Sequence, residues 1–359
     1  MLKTSTSSPR LDPLPQHTLH SAKQLFVQRT LTALGPEGLE DRLQSALMTP
    51  PASPPGAHAL SSAVDACVRE RGAPALLVEV DIDVGGGALG GDPAPVVARA
   101  TELAEAGADA IVLVAPAVAR ARRKQSSSRA AARTSSPERG ARDDEEADAA
   151  ATLACLLSVS RSLAANPKFR LGTGDVSEAI AAGSSSSSSV PPVLLRDWIV
   201  HPLQLADVKA AGGSGALGAA AAVLGKGGPV LTSFGAAMGL DVPLEVVNAS
   251  ESRQATDGGN GVPIVAVNVS LALSISIASI AGAAGADAEG ILGELPMGCF
   301  AVVGADSLRA VAEAARAGAA AIVVKEDAWR DAVRPQGSFQ ENNVAAAMEE
   351  LRTAASISD

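Results

Sequence analysis

The chain has 359 residues, 47% of them hydrophobic and 19% charged, with aromatics at 2% and no tyrosine. A net charge of −10 excludes a nucleic-acid binder that works through bulk positive charge. The composition supports a sizeable core, which has to be built from Ala, Val, Leu and Ile, side chains small enough to fill the inside of a small barrel.

Residues 1–58 read as a tail followed by a helical extension. The first thirty residues are rich in Ser and Thr and carry Lys3, Arg10, Lys23 and Arg29 against a single acid, Asp12. An organellar transit peptide and a plain N-terminal tail both fit this pattern, so a plastid or cytoplasmic location is expected. Leu25, Leu31, Leu34, Leu39, Leu43 and Leu47 recur at helical intervals until Pro50, Pro51, Pro54 and Pro55 break the segment. A helix over 59–71 leads to the first strand.

From there strand and helix alternate. Short apolar runs at 76–81, 108–116, 190–200, 242–248, 262–270, 299–306 and 319–327 read as buried strands, with a weaker one at 215–224. Between them, 94–107, 201–212, 229–239 and 307–318 read as helices, two of which end in Ala-Gly-Ala turns at Gly107 and Gly318. Eight apolar strands separated by helices predict a parallel sheet covered on both faces. Over this length, that means a (β/α)8 TIM barrel occupying 59–335 as a single α/β domain. The glycines at 85–91 lack the spacing of a phosphate fingerprint, which disfavours an open doubly wound sheet.

About 75 residues separate the second and third strands, more than a connection needs. Within them, 119–150 reads as a disordered insertion after the second strand, and 183–189 as a low-complexity linker. The insertion sets Arg120, Arg122, Arg123, Lys124, Arg129 and Arg133 before Asp143, Asp144, Glu145 and Glu146, a pattern expected of a solvated, self-compensating loop. Residues 336–359 form a C-terminal helix or tail with Val344, Met348 and Leu351 on one face.

Cys67, Cys155 and Cys299 are odd in number and widely spaced, which matches neither a disulfide framework nor a metal site. His17, His20 and His58 show no metal spacing, and His201 before Pro202 reads as a helix-start residue rather than a base. The most apolar window, 262–284, contains Asn268 and many serines and reads as strand, loop and helix start, so no membrane span is expected.

Val78-Glu79-Val80-Asp81 and the run Leu194-Leu195-Arg196-Asp197-Trp198-Ile199 with the following Gln204 resemble the first and third strands of indole-3-glycerol-phosphate synthases. The likeness continues at Leu244-Glu245-Val246, Val265-Ala266-Val267-Asn268, Val302 to Leu308 and Val323 to Glu326. It spans roughly residues 60–330 in family order. The resemblance implies a barrel lyase of tryptophan biosynthesis. Such an enzyme closes and decarboxylates carboxyphenylamino-deoxyribulose phosphate with no metal or organic cofactor.

Carried over by position, the resemblance implies a catalytic set of Glu79, Arg196, Glu245 and Asn268, with Asp81, Ser307 and Lys325 on the substrate. The departures are as informative. Asp81 stands where the family has its first-strand lysine, Arg196 where it has the acid lysine of the third strand, and Ala305 where it has a seventh-strand glutamate. Arginine keeps the charge of lysine but holds its proton far more tightly, which makes it a poor proton donor. The family's phosphate-binding turns are replaced by Val84-Gly85-Gly86 and by Lys325-Glu326-Asp327. The family activity is therefore expected to be lost or altered, with a small anionic substrate or none. Glu79 and Glu245 pairing with Arg196, or Asp81 pairing with Arg196, would make the same residues a structural network. The alternative function is a non-catalytic barrel, in a plastid or elsewhere, that meets a protein partner through the insertion or the C-terminal helix.

Overall fold

The computed structural model describes residues 15–50, 55–82, 92–120, 122, 141–169, 190–246, 264–267, 292, 300–326, 328–329 and 344–356. Its strands are β1 (Ala75–Asp81), β2 (Ala110–Val114), β3 (Val193–Arg196), β4 (Gly215–Leu217), β5 (Ala219–Ala220), β6 (Leu244–Val246), β7 (Ile264–Val267), β8 (Phe300–Ala305) and β9 (Ala321–Val324). Every pairing is parallel, in the order β4-β3-β2-β1-β9-β8-β7-β6-β5.

The two edges of this sheet are neighbours in the chain. Only Gly218 separates β4, which pairs with β3, from β5, which pairs with β6. They are two halves of one stave, so the sheet closes into a ring of eight staves, a (β/α)8 barrel. The seam is also tied below β4, where Ala216 N donates to Asp241 O at 3.0 Å and Asp241 N to Ser214 O at 3.1 Å. Gly218 bends the divided stave with φ +109°, and a Cβ there would overlap the carbonyl oxygen of Asp197.

Side-chain alternation sorts the core into two sets. Ala75 and Leu77 of β1, Ala110 and Val112 of β2, Leu194, Leu217, Val302, Ala321 and Val323 fill the barrel interior. Leu76, Val78, Val80, Ile111, Leu113, Leu195, Ile322 and Val324 point outward beneath the helices. Helix α2 (Ala59–Ala66), widening into a π-turn at Cys67–Arg71, closes the N-terminal end of the barrel with Leu60, Val64 and Cys67. Asp241 holds the start of that plug, accepting from Leu60 N at 2.9 Å and Ser61 N at 3.1 Å.

The N-terminal extension is α1 (Pro15–Met48), two helices joined across Gly35 (φ 68°) and Pro36. It packs against α4 (Ala141–Ala165) and α5 (Pro202–Ala210). The remaining barrel helices are α3 (Ala94–Glu105), α6 (Gly227–Ala237) and α7 (Leu308–Arg316), and α8 (Val344–Ala355) closes the chain. Two sequence expectations change here. Helix α4 begins at Ala141, so the last ten residues of the stretch expected to be disordered are helical, joined to the segment that buries Cys155, Leu156, Val159 and Leu163. The face of α8 carrying Val344, Met348 and Leu351 is buried, with α3 and α7 packed against the helix, and Arg352 donates to Gly107 O at 2.5 Å.

Among the described residues, one helical stretch, Glu146–Ala165, is long and apolar enough to cross a membrane by length and composition. It is the α4 barrel helix. Of the window 262–284, residues 264–267 form β7 and the rest lies outside the described residues.

Candidate functional site at the barrel mouth

The inward alternation that fills the barrel with aliphatic side chains continues at its C-terminal end with charges. Glu79 lies two residues past Leu77, Arg196 two past Leu194 and Lys325 two past Val323. Glu245 sits between the outward Leu244 and Val246. Four ionisable groups therefore share the inner face at the end where barrel chemistry is built.

Glu79 is the centre of the cluster. Arg122, on the segment after β2, grips it from both nitrogens, Nη1 to Oε2 at 2.6 Å and Nη2 to Oε1 at 2.9 Å. Arg196 Nε lies 3.6 Å from Glu79 Oε1, and its Nη2 lies 3.5 Å from Glu245 Oε1. Both carboxylate side chains are 1% exposed. Burial alone would push the Glu79 carboxyl up, but Arg122 and Arg196 together outweigh it and hold the group below the usual glutamate range. The backbone is braced as well, since Trp329 Nε1 donates to Glu79 O at 3.1 Å and the ring stacks under Arg99 at 5.1 Å.

Arg196 is bound less tightly than its surroundings suggest. Its side chain is 11% exposed, and its contacts among the described residues are the two long ion pairs. No hydrogen bond uses its donors there. Lys325 follows β9, with its N donating to Ala305 O at 3.0 Å and its carbonyl accepting from Ala328 N at 3.0 Å. Burial pushes its amine below the usual lysine range, aided by Arg122 and Arg196 and opposed by Asp306 and Glu79.

The other expected residues take different places. Asp81 N donates to Glu326 Oε2 at 2.9 Å, tying β1 to the residue after Lys325, and the Asp81 charge acts on Arg122. Of the alternative pairings, Arg196 takes Glu79 and Glu245 among the described contacts. Ser307 accepts from Ala310 N at 3.2 Å and caps α7. His201 Nδ1 accepts from Leu203 N at 3.1 Å and caps α5, with Gln204 Oε1 completing the box at His201 N. Asn268 and Cys299 lie outside the described residues.

Arg122 is the residue sequence reasoning missed, since its basic run reads as a solvated loop. The available signal was position: a run that follows a barrel strand directly starts at the mouth. Lys23 was missed too. It reaches from α1 to Asp197 after β3, Nζ to Oδ2 at 2.5 Å, with both side chains under a tenth exposed.

Among the described residues no group of three or more His, Cys, Asp or Glu is placed to hold a metal ion. Cys67 is buried against Arg71, and burial, with Asp109 nearby, pushes its thiol up to about 11, far from a reactive thiolate.

No family model matches the chain. No curated protein matches it. Solved structures similar to it include tryptophan synthase from M. tuberculosis in an open form, at 17% identity and TM-score 0.48, with 82% of this chain and 98% of that chain covered. A tryptophan synthase alpha chain from Legionella pneumophila matches at 12% identity and TM-score 0.46, with 82% and 96% covered. The assignment of the barrel rests on the strand pairing itself.

Proposed function

We propose that the chain is a divergent barrel of the indole-3-glycerol-phosphate synthase type, with the family's ring closure and decarboxylation lost or altered, whose mouth receives a small anionic molecule at Arg196. The observation that carries this reading is the state of Arg196. A guanidinium at the end of β3, mostly buried, has carboxylates at 3.5 and 3.6 Å and no hydrogen bond among the described residues. Such a group is suited to planar oxyanions, phosphate or carboxylate, which it can grip at two nitrogens.

The altered chemistry follows from two substitutions. Arg196 stands at the position of the proton-donating lysine, and a guanidinium is a poor proton donor. Glu79 has both oxygens engaged by Arg122 and a lowered pKa, which weakens it as a base. The test is turnover of carboxyphenylamino-deoxyribulose phosphate, read as indoleglycerol fluorescence. Calorimetric titration with inorganic phosphate and anthranilate accompanies it. The expected result is no turnover in the wild type and anion binding that disappears in Arg196→Met. Wild-type turnover abolished by Glu79→Ala would overturn the loss of family activity.

A second reading, a barrel kept for its surface, is favoured by the same Arg122–Glu79 clasp, which ties up the Glu79 carboxylate at the mouth. Absence of both turnover and anion binding would select it.

A further inference from the structure

Lys325 is not used by the ion network of the mouth. It lies on the inner face of the barrel, two residues past the interior Val323, at the C-terminal end of the last stave. Its backbone is pinned on both sides, by the bond to Ala305 O and by Glu326, whose Oε2 holds Asp81 N. Among the described residues its amine has neither a hydrogen bond nor an ion pair. The charges that act on it come from Arg122 and Arg196 and from Asp306 and Glu79. The other lysines described in contacts are spent: Lys23 on Asp197, Lys168 on Glu105, Lys209 on Ala46 O.

A lysine that is largely desolvated, fixed at its root and placed beside two guanidinium groups meets the requirements of an amine nucleophile. We infer that Lys325 condenses with the carbonyl of a small aldehyde or ketone whose anionic group is held by Arg196, forming an imine at the barrel mouth. The inference rests on the proposed anion site. The neutral amine attacks the carbonyl carbon, and the carbonyl π electrons move to oxygen. The nitrogen loses one proton and the oxygen gains one, giving a carbinolamine. Its hydroxyl then leaves as water together with the nitrogen's remaining proton, and the nitrogen lone pair forms the C=N bond at Nζ. Solvent takes the proton the nitrogen sheds and supplies the one the oxygen gains. No oxidant or reductant takes part, and water reverses the reaction. Arg122 and Arg196 favour the neutral amine before attack, and Arg196 holds the substrate's anion during it.

The experiment uses the full chain and two matched probes. Pyridoxal 5′-phosphate carries an aldehyde and a phosphate, while pyridoxine 5′-phosphate carries the phosphate without the aldehyde. Wild-type protein is treated with the aldehyde at neutral pH, reduced with borohydride and mapped by peptide mass spectrometry. The label is expected on Lys325 in excess over the surface residues Lys168 and Lys226, since burial beside cationic groups leaves more of its amine neutral. Lys325→Arg, which keeps the charge, is expected to lose the label and still bind the pyridoxine phosphate. Label spread evenly over surface lysines, with pyridoxine phosphate still bound, overturns the nucleophile and leaves the anion site standing. Failure of pyridoxine phosphate to bind overturns the anion site. Selective labelling of Lys325 by unphosphorylated pyridoxal would then keep the nucleophile alone, and its absence would overturn both. Because the map is read on wild-type protein, a variant that fails to fold leaves the outcome unchanged.

Discussion

Arg122 and Glu79 form a two-pronged ion pair at 2.6 and 2.9 Å, joining the end of β1 to the segment after β2 across 43 residues of sequence. The carboxylate is buried, so the pair matters mainly through what happens when it is broken. Removing one partner of a fully dry pair costs about 3–5 kcal/mol, because the other charge is stranded. Arg196 remains beside Glu79 in Arg122→Ala, and Arg122 itself is 28% exposed, so the expected loss is smaller, about 2 kcal/mol. Urea unfolding of the variant against wild type measures it.

The same pair sets a pH dependence. The Glu79 pKa is lowered in the fold, so its contribution is fully present above the unfolded value of about 4.3 and is lost as pH falls through the folded value. The stability gap between wild type and Glu79→Gln is therefore expected to stay flat above about pH 5 and to narrow below it. Denaturant midpoints at a series of pH values decide this. A gap that widened in acid would contradict the sign of the shift.

Lys23 and Asp197 join α1 to the end of β3 over 174 residues of sequence. Lys23→Met keeps most of the stem's apolar packing but leaves Asp197 buried with its charge, at an expected cost of about 3 kcal/mol. Asp197→Asn strands the lysine instead. The double variant is expected to cost less than the sum of the two, since both remove one interaction. Hydrogen exchange over residues 23–34 should accelerate in each single variant, which locates the loss at the docked helix.

Gly218 divides the stave that closes the barrel. In Gly218→Ala the new methyl group meets the Asp197 carbonyl and the residue is held at positive φ, so the loss expected is about 3–4 kcal/mol. Thermal unfolding by circular dichroism measures it. Gly225→Ala, also at positive φ but with open space around its Cβ, should cost about 1 kcal/mol and isolates the steric part.

Much of this architecture is written in local pattern. The apolar runs at 76–81, 108–116 and 319–327 appear as β1, β2 and β9, because a strand buried on both faces needs a short, continuous aliphatic run. Glu79, Arg196 and Lys325 were singled out through the resemblance alone, and the structure sets all three on one face, each two residues past an interior aliphatic. The weak fourth strand was blurred for a physical reason. Its Ala-Gly run carries little hydrophobic signal, and it becomes a stave only by pairing with β3 on one side and β6 on the other.

The sequence by itself determined the type and order of the barrel elements, because these follow from short apolar runs and helical periodicities that act within a few residues. Only the tertiary structure decided the partners. Arg122 joins Arg196 in neutralising Glu79, Lys23 reaches Asp197, and the α8 face that could have met another protein is buried in the fold. Ion-pair choice depends on distances between groups far apart in the chain and on how much water is excluded around them, and neither quantity exists until the barrel has closed.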